Sequence, residues 1–169
     1  MASALIVVLG FGLNYGLRAL LSLDPWTPDI LLMAVAYLAL TRPRGEAYVM
    51  AFAAGLLWDL ALLDHIGSHS LLYIAAVAAA VKMKSILWAQ YAVSRLVMGY
   101  VLTVFVRFGE VIFWLSFLGN EIPFSYSEYY ILWGPLVTGV LFAIVPWRAT
   151  PIQLSGRTPQ MLFSEKTSS

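Results

Sequence analysis

The stretch AFAAGLLWDLALLDHIGSHSLLYIAA, from Ala51 to Ala76, consists of two apolar segments joined by a short polar turn. Neither segment alternates apolar and polar residues as the strand of a membrane barrel does. Each segment is therefore predicted to be a helix. Asp59 lies inside the first segment, where a charged side chain would be costly in contact with lipid. The stretch predicts a helical hairpin in a bilayer that carries a polar group at depth.

The whole chain shares this apolar character. It has 169 residues, of which 61% are hydrophobic and 11% are charged, and its mean hydropathy is +0.82. Soluble proteins are about half apolar and about one quarter charged, so the composition excludes a soluble globular domain. The net charge of +1 gives no nucleic-acid footprint, and the lack of cysteine excludes disulfides and thiolate metal sites.

Apolar runs divide the chain into six predicted transmembrane helices. The fold class is therefore an all-α polytopic membrane protein, with a single six-helix domain over residues 1–147 and a polar tail over 148–169. The predicted helices are Ala4 to Leu23, Trp26 to Thr41, Glu46 to Leu63, Ser68 to Val81, a helix within Ile86 to Leu118, and Tyr129 to Trp147.

The basic residues predict the orientation of these helices. With a cytoplasmic N-terminus, the cytoplasmic side holds seven basic positions and the other side has only Arg18 near it. This bias follows the positive-inside rule and places both termini in the cytoplasm. Aromatic residues near the ends of the runs, Tyr130 among them, are typical of membrane interfaces. The seven positions are Arg42, Arg44, Lys82, Lys84, Arg148, Arg157 and Lys166.

Asp59 shares one side of its helix with small residues. Gly55 lies one turn before it, and Ala51 lies one turn before Gly55. Small residues at this spacing let another helix approach closely. One interpretation is that the carboxylate of Asp59 binds a partner, an ion or a substrate. The other is that its carboxylate bonds to a neighbouring helix or to backbone N–H groups of the following loop.

Two further pairs of polar residues are predicted at membrane depth. Arg107 and Glu110 are three residues apart on one helix and are predicted to form an intramembrane ion pair, or to contact another subunit or a partner. Asn14 and Arg18 are four apart on the first helix, and Gly10 continues their side of that helix. This side is predicted either to pack closely within the protein or to form a groove for the transmembrane helix of a partner.

The sequence lacks the residue patterns of catalysis. His65 and His69 are four residues apart but have no third metal ligand nearby, and no nucleophile elbow or phosphate-binding loop is present. We therefore expect no enzymatic activity, no cofactor and no metal. A binding or scaffold role is the better interpretation.

The central third of the chain resembles the MreD family of bacterial rod-shape proteins. The resemblance rests on PDILLMAVAYLAL from Pro28 to Leu40, on the turn RPRG from Arg42 to Gly45, and on the stretch from Ala51 to Ala76. Within that stretch, the family's pattern of G-L-L-x-D followed by a glycine falls on Gly55, Leu56, Leu57, Asp59 and Gly67.

This resemblance implies a non-catalytic scaffold or regulator in the bacterial inner membrane. Such a protein would bind MreC, which has a single transmembrane helix, and would support peptidoglycan synthesis by RodA and its class B transpeptidase along MreB filaments. The resemblance also implies the six-helix arrangement of the S components of ECF transporters. A vitamin-binding S component is therefore the alternative function. Whether the small-residue sides bind MreC or a second copy of the chain is left open.

Overall fold

The computed structural model of the chain describes residues 1–21, 27–62, 67–86, 91–117 and 129–145. These residues are almost entirely helical, and none of them belongs to a strand. Residues 148–169, the predicted polar tail, lie outside the described ranges. The six helices are α1 (Ala2–Leu21), α2 (Ile30–Thr41), α3 (Arg44–Leu62), α4 (Ser68–Ile86), α5 (Ala92–Phe117) and α6, which has a π-helical part (Tyr129–Trp133) followed by an α-helical part (Gly134–Ile144).

The predicted all-helical class and the order of helices are confirmed, while several helix ends differ from the prediction. Helix α2 begins at Ile30, because Asp29 caps it by accepting a hydrogen bond from the backbone N–H of Leu32 at 2.8 Å. Helix α4 continues to Ile86, beyond the predicted end at Val81. Hydropathy placed that end too early because Lys82 and Lys84 belong to the last turns of α4, where cations are favourable.

Helix α2 lies at the centre of the bundle. It contacts every other helix, and seven of its twelve residues are buried. This explains why α2 is apolar on all sides, because every side of a central helix packs against another helix. Helices α3 and α4 pack against each other on one side of α2, and α5 and α6 pack together on another. The main contacts of helix α1 are with α2 and α3.

The helices alternate in direction, so the bundle has two ends. The lower end contains the first residues of α1, α3 and α5 and the last residues of α2, α4 and α6. There, Lys84 Nζ donates to the carbonyl of Leu40 at 2.5 Å, and Arg95 donates to the carbonyl of Ala143 at 2.8 Å. These bonds satisfy carbonyl groups that a helix leaves unpaired at its C-terminal end. The opposite end, here called the upper end, carries the acidic residues described below.

Two of the described helices are long and apolar enough to cross a membrane by length and composition. They are the segments Ala2–Leu20 of α1 and Ala92–Ser116 of α5. The outward sides of the helices carry large apolar side chains, such as Leu9 on α1 and Leu71 on α4. Such sides are suited to lipid or to other apolar helices.

Candidate functional site

Two glycines bring α4 close to its neighbours at the upper end. A Cβ atom at Gly55 of α3 would lie 2.3 Å from the Cα of Ser70, and a Cβ at Gly109 of α5 would lie 2.4 Å from a methyl carbon of Leu72. The approach at Gly55 requires the absence of a side chain because backbone atoms of α4 lie there, whereas at Gly109 the end of the Leu72 side chain fills the space. Asp59 lies one turn beyond Gly55, and Glu110 follows Gly109 in sequence. The two glycines therefore allow both acids to reach the first turn of α4.

Asp59 caps the N-terminus of α4 from the neighbouring helix. Its carboxylate is fully buried and accepts hydrogen bonds from the backbone N–H groups of Gly67, at 2.7 Å, and His69, at 3.1 Å. The hydroxyl of Ser68 donates to the same carboxylate at 3.2 Å. An acid in this position satisfies N–H groups that the helix itself leaves unpaired, and it is favoured by the helix dipole. Gly67 has a φ of 103°, a conformation that side chains disfavour, and this turn presents its N–H to Asp59.

His69 connects this cap to α5. Its Nδ1 lies 2.6 Å from Oδ1 of Asp59, and its Nε2 lies 3.0 Å from Oε1 of Glu110. The rings of Trp58 and Tyr73 meet the imidazole edge-on, with centroid distances of 6.4 and 6.3 Å. One imidazole therefore joins α3, α4 and α5 in surroundings that are largely closed to solvent.

Glu110 also pairs with Arg107 on its own helix. The Nη1 atom of Arg107 lies 3.2 Å from Oε2 of Glu110, and both side chains are buried. The hydroxyl of Tyr130 forms hydrogen bonds with both residues, and the guanidinium of Arg107 lies 4.3 Å from the centre of the Tyr130 ring. Tyr130 belongs to α6, so the pair is also a connection between α5 and α6.

A second group of bonds surrounds Asp29 at the start of α2. The hydroxyl of Tyr73 lies 3.3 and 3.4 Å from the two carboxylate oxygens, and the backbone N–H of Asp29 donates to Oγ1 of Thr138 at 3.0 Å. The backbone N–H of Ile30 is 3.4 Å from Oδ1 of Asn14, which is buried on α1. Asp29 thus brings α1, α4 and α6 to the start of α2.

We call these residues together the upper network. Five of the six helices contribute side chains to it, and α2 is connected to it through its capping residue, Asp29. Because lipid offers no replacement hydrogen bonds, a polar group at this depth must find its partners inside the protein. The upper network consists of Asn14, Asp29, Asp59, His69, Tyr73, Arg107, Glu110, Tyr130 and Thr138.

The residues predicted to form partner-facing sides are engaged within the chain. Gly10 faces α2, where its Cβ position is 2.9 Å from Cβ of Ala34, and Asn14 lies on the same buried side of α1. Ala51 is fully buried, and Gly55 is buried against α4. The inward side of α1 therefore packs against α2 within the protein.

Arg18 packs against an aromatic ring within the chain. Its guanidinium carbon lies 4.9 Å from the centre of the Trp58 ring, which is itself buried on α3. Cation–π contact of this kind stabilises a cation in a poorly solvated position. The outward side of α1 instead contains Gly12 and Gly16, where nothing lies within 4 Å of a Cβ position.

The sequence did not indicate the connections through His69, Tyr73, Tyr130 and Thr138. His69 follows Asp59 by ten residues, which suits a hairpin whose second helix begins beside the end of the first. Gly67, with its positive φ, lies directly before α4, and His69 Nδ1 lies 2.6 Å from Oδ1 of Asp59. A short glycine-containing turn after a buried acid is the signal that could have suggested the pair.

Two observations on the described residues concern metal and small-molecule binding. No group of three or more histidine or acidic side chains among them is arranged to hold a metal ion. A cavity between α2, α5 and α6 has a volume of about 10 Å³ and is lined by Thr103 and Thr138 together with apolar residues. This is close to the smallest volume that holds one water molecule.

Comparison with known proteins identifies the family. A family model described as rod shape-determining protein MreD matches residues 1–147, which include all six helices and the entire upper network. The chain belongs to the MreD family. The resemblance noted in the sequence is thereby confirmed, and the family's role is in determining rod shape. MreD is a family of membrane proteins, which agrees with the apolar helices of this chain.

Two other comparisons found no match for this MreD protein. No curated protein matches it, and no solved structure matches it. The arrangement of ECF transporter S components therefore stays a prediction for this chain.

Proposed function

We propose that this MreD protein is a non-catalytic scaffold or regulator of the bacterial rod complex, or elongasome. It binds the single transmembrane helix of MreC and so supports peptidoglycan synthesis by RodA and its class B transpeptidase along MreB filaments. The observation that carries the proposal is the MreD family match over residues 1–147. RodA and the transpeptidase contact the chain directly or through MreC.

The distribution of charge supports a multi-pass orientation in the inner membrane with both termini in the cytoplasm. The lower end of the bundle carries Arg42, Arg44, Lys82 and Lys84. Among the residues that the structure describes, the buried acids Asp29, Asp59 and Glu110 lie towards the upper end. Basic residues collect on the cytoplasmic side of membrane proteins, so the lower end faces the cytoplasm and the upper end faces outward. Residues 148–169 then form a cytoplasmic tail.

The bonding of the buried charged groups supports a structural role for them. Asp59 accepts hydrogen bonds from a helix N-terminus, and Glu110 is held between His69 and Arg107. These contacts hold the helices of the bundle in place. A protein that presents a fixed surface to other membrane helices needs such internal bonds, because apolar side chains alone gain little by leaving lipid.

The outward side of α1 is the surface on which we place the MreC helix. Gly12 and Gly16 form a G-x-x-x-G pattern there, and the neighbouring Leu9 and Leu13 are 56% and 58% exposed. A glycine pair spaced by four residues lets a second helix approach closely, and the leucines beside it pack against that helix. Because the chain belongs to a rod shape-determining family, we test the helix of MreC as the occupant first.

Co-purification of MreC with variants of α1 tests this placement. Gly12→Leu and Gly16→Leu fill the proposed contact and should sharply reduce the MreC that is recovered with the protein. Gly45→Leu is the matched control, since nothing lies within 4 Å of its Cβ position and it is at the lower end of α3. Undiminished recovery with both α1 variants would rule out this surface. If the α1 variants lose self-association but still recover MreC, the occupant of this surface is a second copy of the chain.

The transporter alternative receives no support from the cavity between α2, α5 and α6. Its volume of about 10 Å³ compares with some hundreds of Å³ for typical small-molecule sites. We therefore retain the scaffold as the proposed function.

A further inference from the structure

His69 has an unusual hydrogen-bonding position, because each of its ring nitrogens faces a carboxylate. Nδ1 is 2.6 Å from Asp59, and Nε2 is 3.0 Å from Glu110. A neutral imidazole has one N–H donor and one acceptor nitrogen, whereas an ionised carboxylate can only accept. Two ionised carboxylates can both be satisfied only when the ring carries a proton on each nitrogen. The geometry therefore requires one proton more than a neutral histidine supplies.

We propose that Asp59, His69 and Glu110 form a proton-binding site inside the bundle, in which His69 holds the bound proton as an imidazolium between two carboxylates. The ligand of this site is a proton, and its binding goes beyond the proposed scaffold function. The site does not depend on MreC or on the orientation of the chain in the membrane.

The other charged groups around His69 agree with a bound proton. On α5, Arg107 neutralises one acid through its contact with Glu110, and on α1 Arg18 lies over Trp58, which borders the imidazole. At the start of α2, the buried carboxylate of Asp29 accepts a hydrogen bond from Tyr73, whose ring contacts the imidazole of His69. Among the residues that the structure describes, three buried acids therefore lie near two arginines, and a positive His69 brings the sum of their charges to zero. Without the proton, one negative charge would be left uncompensated where water is scarce, which is costly.

The hydroxyl groups nearest to His69 do not replace this proton. Ser68 lies beside Nδ1, at 3.3 Å, and its hydroxyl also donates to Asp59. Tyr130, on α6, bonds to Glu110 and Arg107, and Tyr73 bonds to Asp29. Each hydroxyl is a neutral group, so none of them supplies the missing positive charge.

Release of the proton has a defined structural consequence. The imidazolium loses H⁺ from Nε2 to water and becomes a neutral imidazole that keeps its N–H on Nδ1 towards Asp59, the nearer carboxylate. The lone pair on Nε2 then faces the carboxylate of Glu110, and the two repel each other. The hydrogen bond between His69 on α4 and Glu110 on α5 is lost, while Asp59 still caps α4 and the packing of Leu72 against Gly109 remains. Proton binding thus strengthens the contact between the hairpin of α3 and α4 and the pair of α5 and α6.

Nitrogen-15 NMR of the full-length protein in lipid nanodiscs tests the proposal directly. The chain contains two histidines, so a His65→Gln background leaves His69 as the source of the signal. At pH 7.5, a free imidazole is mostly neutral. The proposal predicts that both ring nitrogens of His69 carry a proton at this pH. A ring with one protonated nitrogen would overturn it.

Two carboxamide variants separate the charge effect from the packing around the ring. Asp59→Asn and Glu110→Gln each remove one negative charge at nearly constant shape, so His69 should become neutral at pH 7.5 in both. Ser68→Ala is the control, because it removes a neutral neighbour of His69 and should leave both nitrogens protonated. An imidazolium that persists in both carboxamide variants would contradict the proposal. If neither variant folds, the spectrum in the His65→Gln background alone decides it.

Discussion

The Nε2 atom of His69, in the first turn of α4, lies 3.0 Å from Oε1 of Glu110 on α5. The other nitrogen of the ring is bonded to Asp59 on α3, so a single side chain connects three helices. Glu110 in turn reaches α6 through Tyr130. In lipid, the groups that lose such a bond find no water to replace it. We therefore expect substitutions along this connection to weaken the bundle more than similar substitutions elsewhere.

Glu110→Gln should strongly destabilise the protein. The variant removes the negative charge that faces Arg107 and His69, and loss of one partner of a buried ion pair costs about 3 kcal/mol. The free energy of unfolding in bicelles, measured by steric trapping, checks this value. Glu46→Gln is the control, because Glu46 is half-buried at the lower end, where it accepts a hydrogen bond from Ser3. A similar loss in both variants would show that the position of Glu110 has no special importance.

Gly55→Ala should separate α3 from α4. The added methyl group would lie 2.3 Å from the Cα of Ser70, and backbone atoms can make room only if the helices move apart. Overpacking of this kind costs about 1–3 kcal/mol, and the movement also weakens the bond between Asp59 and His69. Gly45→Ala, on the same helix, has open space around it and should leave the unfolding free energy nearly unchanged. Equal stability of the two variants would contradict the close approach at Gly55.

Gly67→Ala should destabilise the turn between α3 and α4. The φ of 103° at this position is unfavourable for a residue with a side chain, at a cost of about 1–2 kcal/mol. Relaxation of the strain would move the backbone N–H away from the carboxylate of Asp59, which it now meets at 2.7 Å. Hydrogen exchange of the first turn of α4 should therefore become faster. Gly16→Ala is the matched control on α1, and unchanged exchange in Gly67→Ala would argue against the cap.

Tyr130→Phe tests the connection between α5 and α6. The variant keeps the ring that lies over Arg107 but removes the hydroxyl that bonds to Arg107 and Glu110. Leaving these buried charged groups with one partner fewer should cost about 1–3 kcal/mol in the free energy of unfolding. Tyr15→Phe changes a half-exposed tyrosine of α1 and should cost little. A Tyr130→Phe protein as stable as Tyr15→Phe would exclude a structural role for the hydroxyl.

Much of the fold could be predicted from hydropathy because each helix is a continuous apolar run. The order and the approximate positions of the six helices follow from the apolar runs along the sequence. The ends were less predictable. Helix α2 begins where Asp29 caps it, and α4 includes Lys82 and Lys84, whose long apolar stems belong to a helix although their charges suggest a loop.

The candidate site was predictable in its members but not in its connections. Asp59, Arg107 and Glu110 are conspicuous because charged residues at membrane depth are costly. Their bonds across helices depend on the register in which α3, α4 and α5 pack, and that register is set by the close approaches at Gly55 and Gly109. A single sequence does not specify such distances.

The orientation of α1 about its own axis was also beyond the sequence. Its glycines lie on opposite sides, with Gly10 against α2 and both Gly12 and Gly16 facing outward. Glycine is favourable for packing within a protein and for contact between proteins alike. Only the position of α2 distinguishes the two sides. This is why the surface that we assign to MreC differs from the side predicted to form a groove.

The most direct test of the role of His69 is a double-mutant cycle with Glu110. The unfolding free energy is measured for Glu110→Gln in the wild-type protein and again in a His69→Ala background. If His69 connects Glu110 to Asp59, the cost of Glu110→Gln should be lower by about 1 kcal/mol or more in the His69→Ala background, because part of its bonding is already lost. An equal cost in both backgrounds would contradict the account.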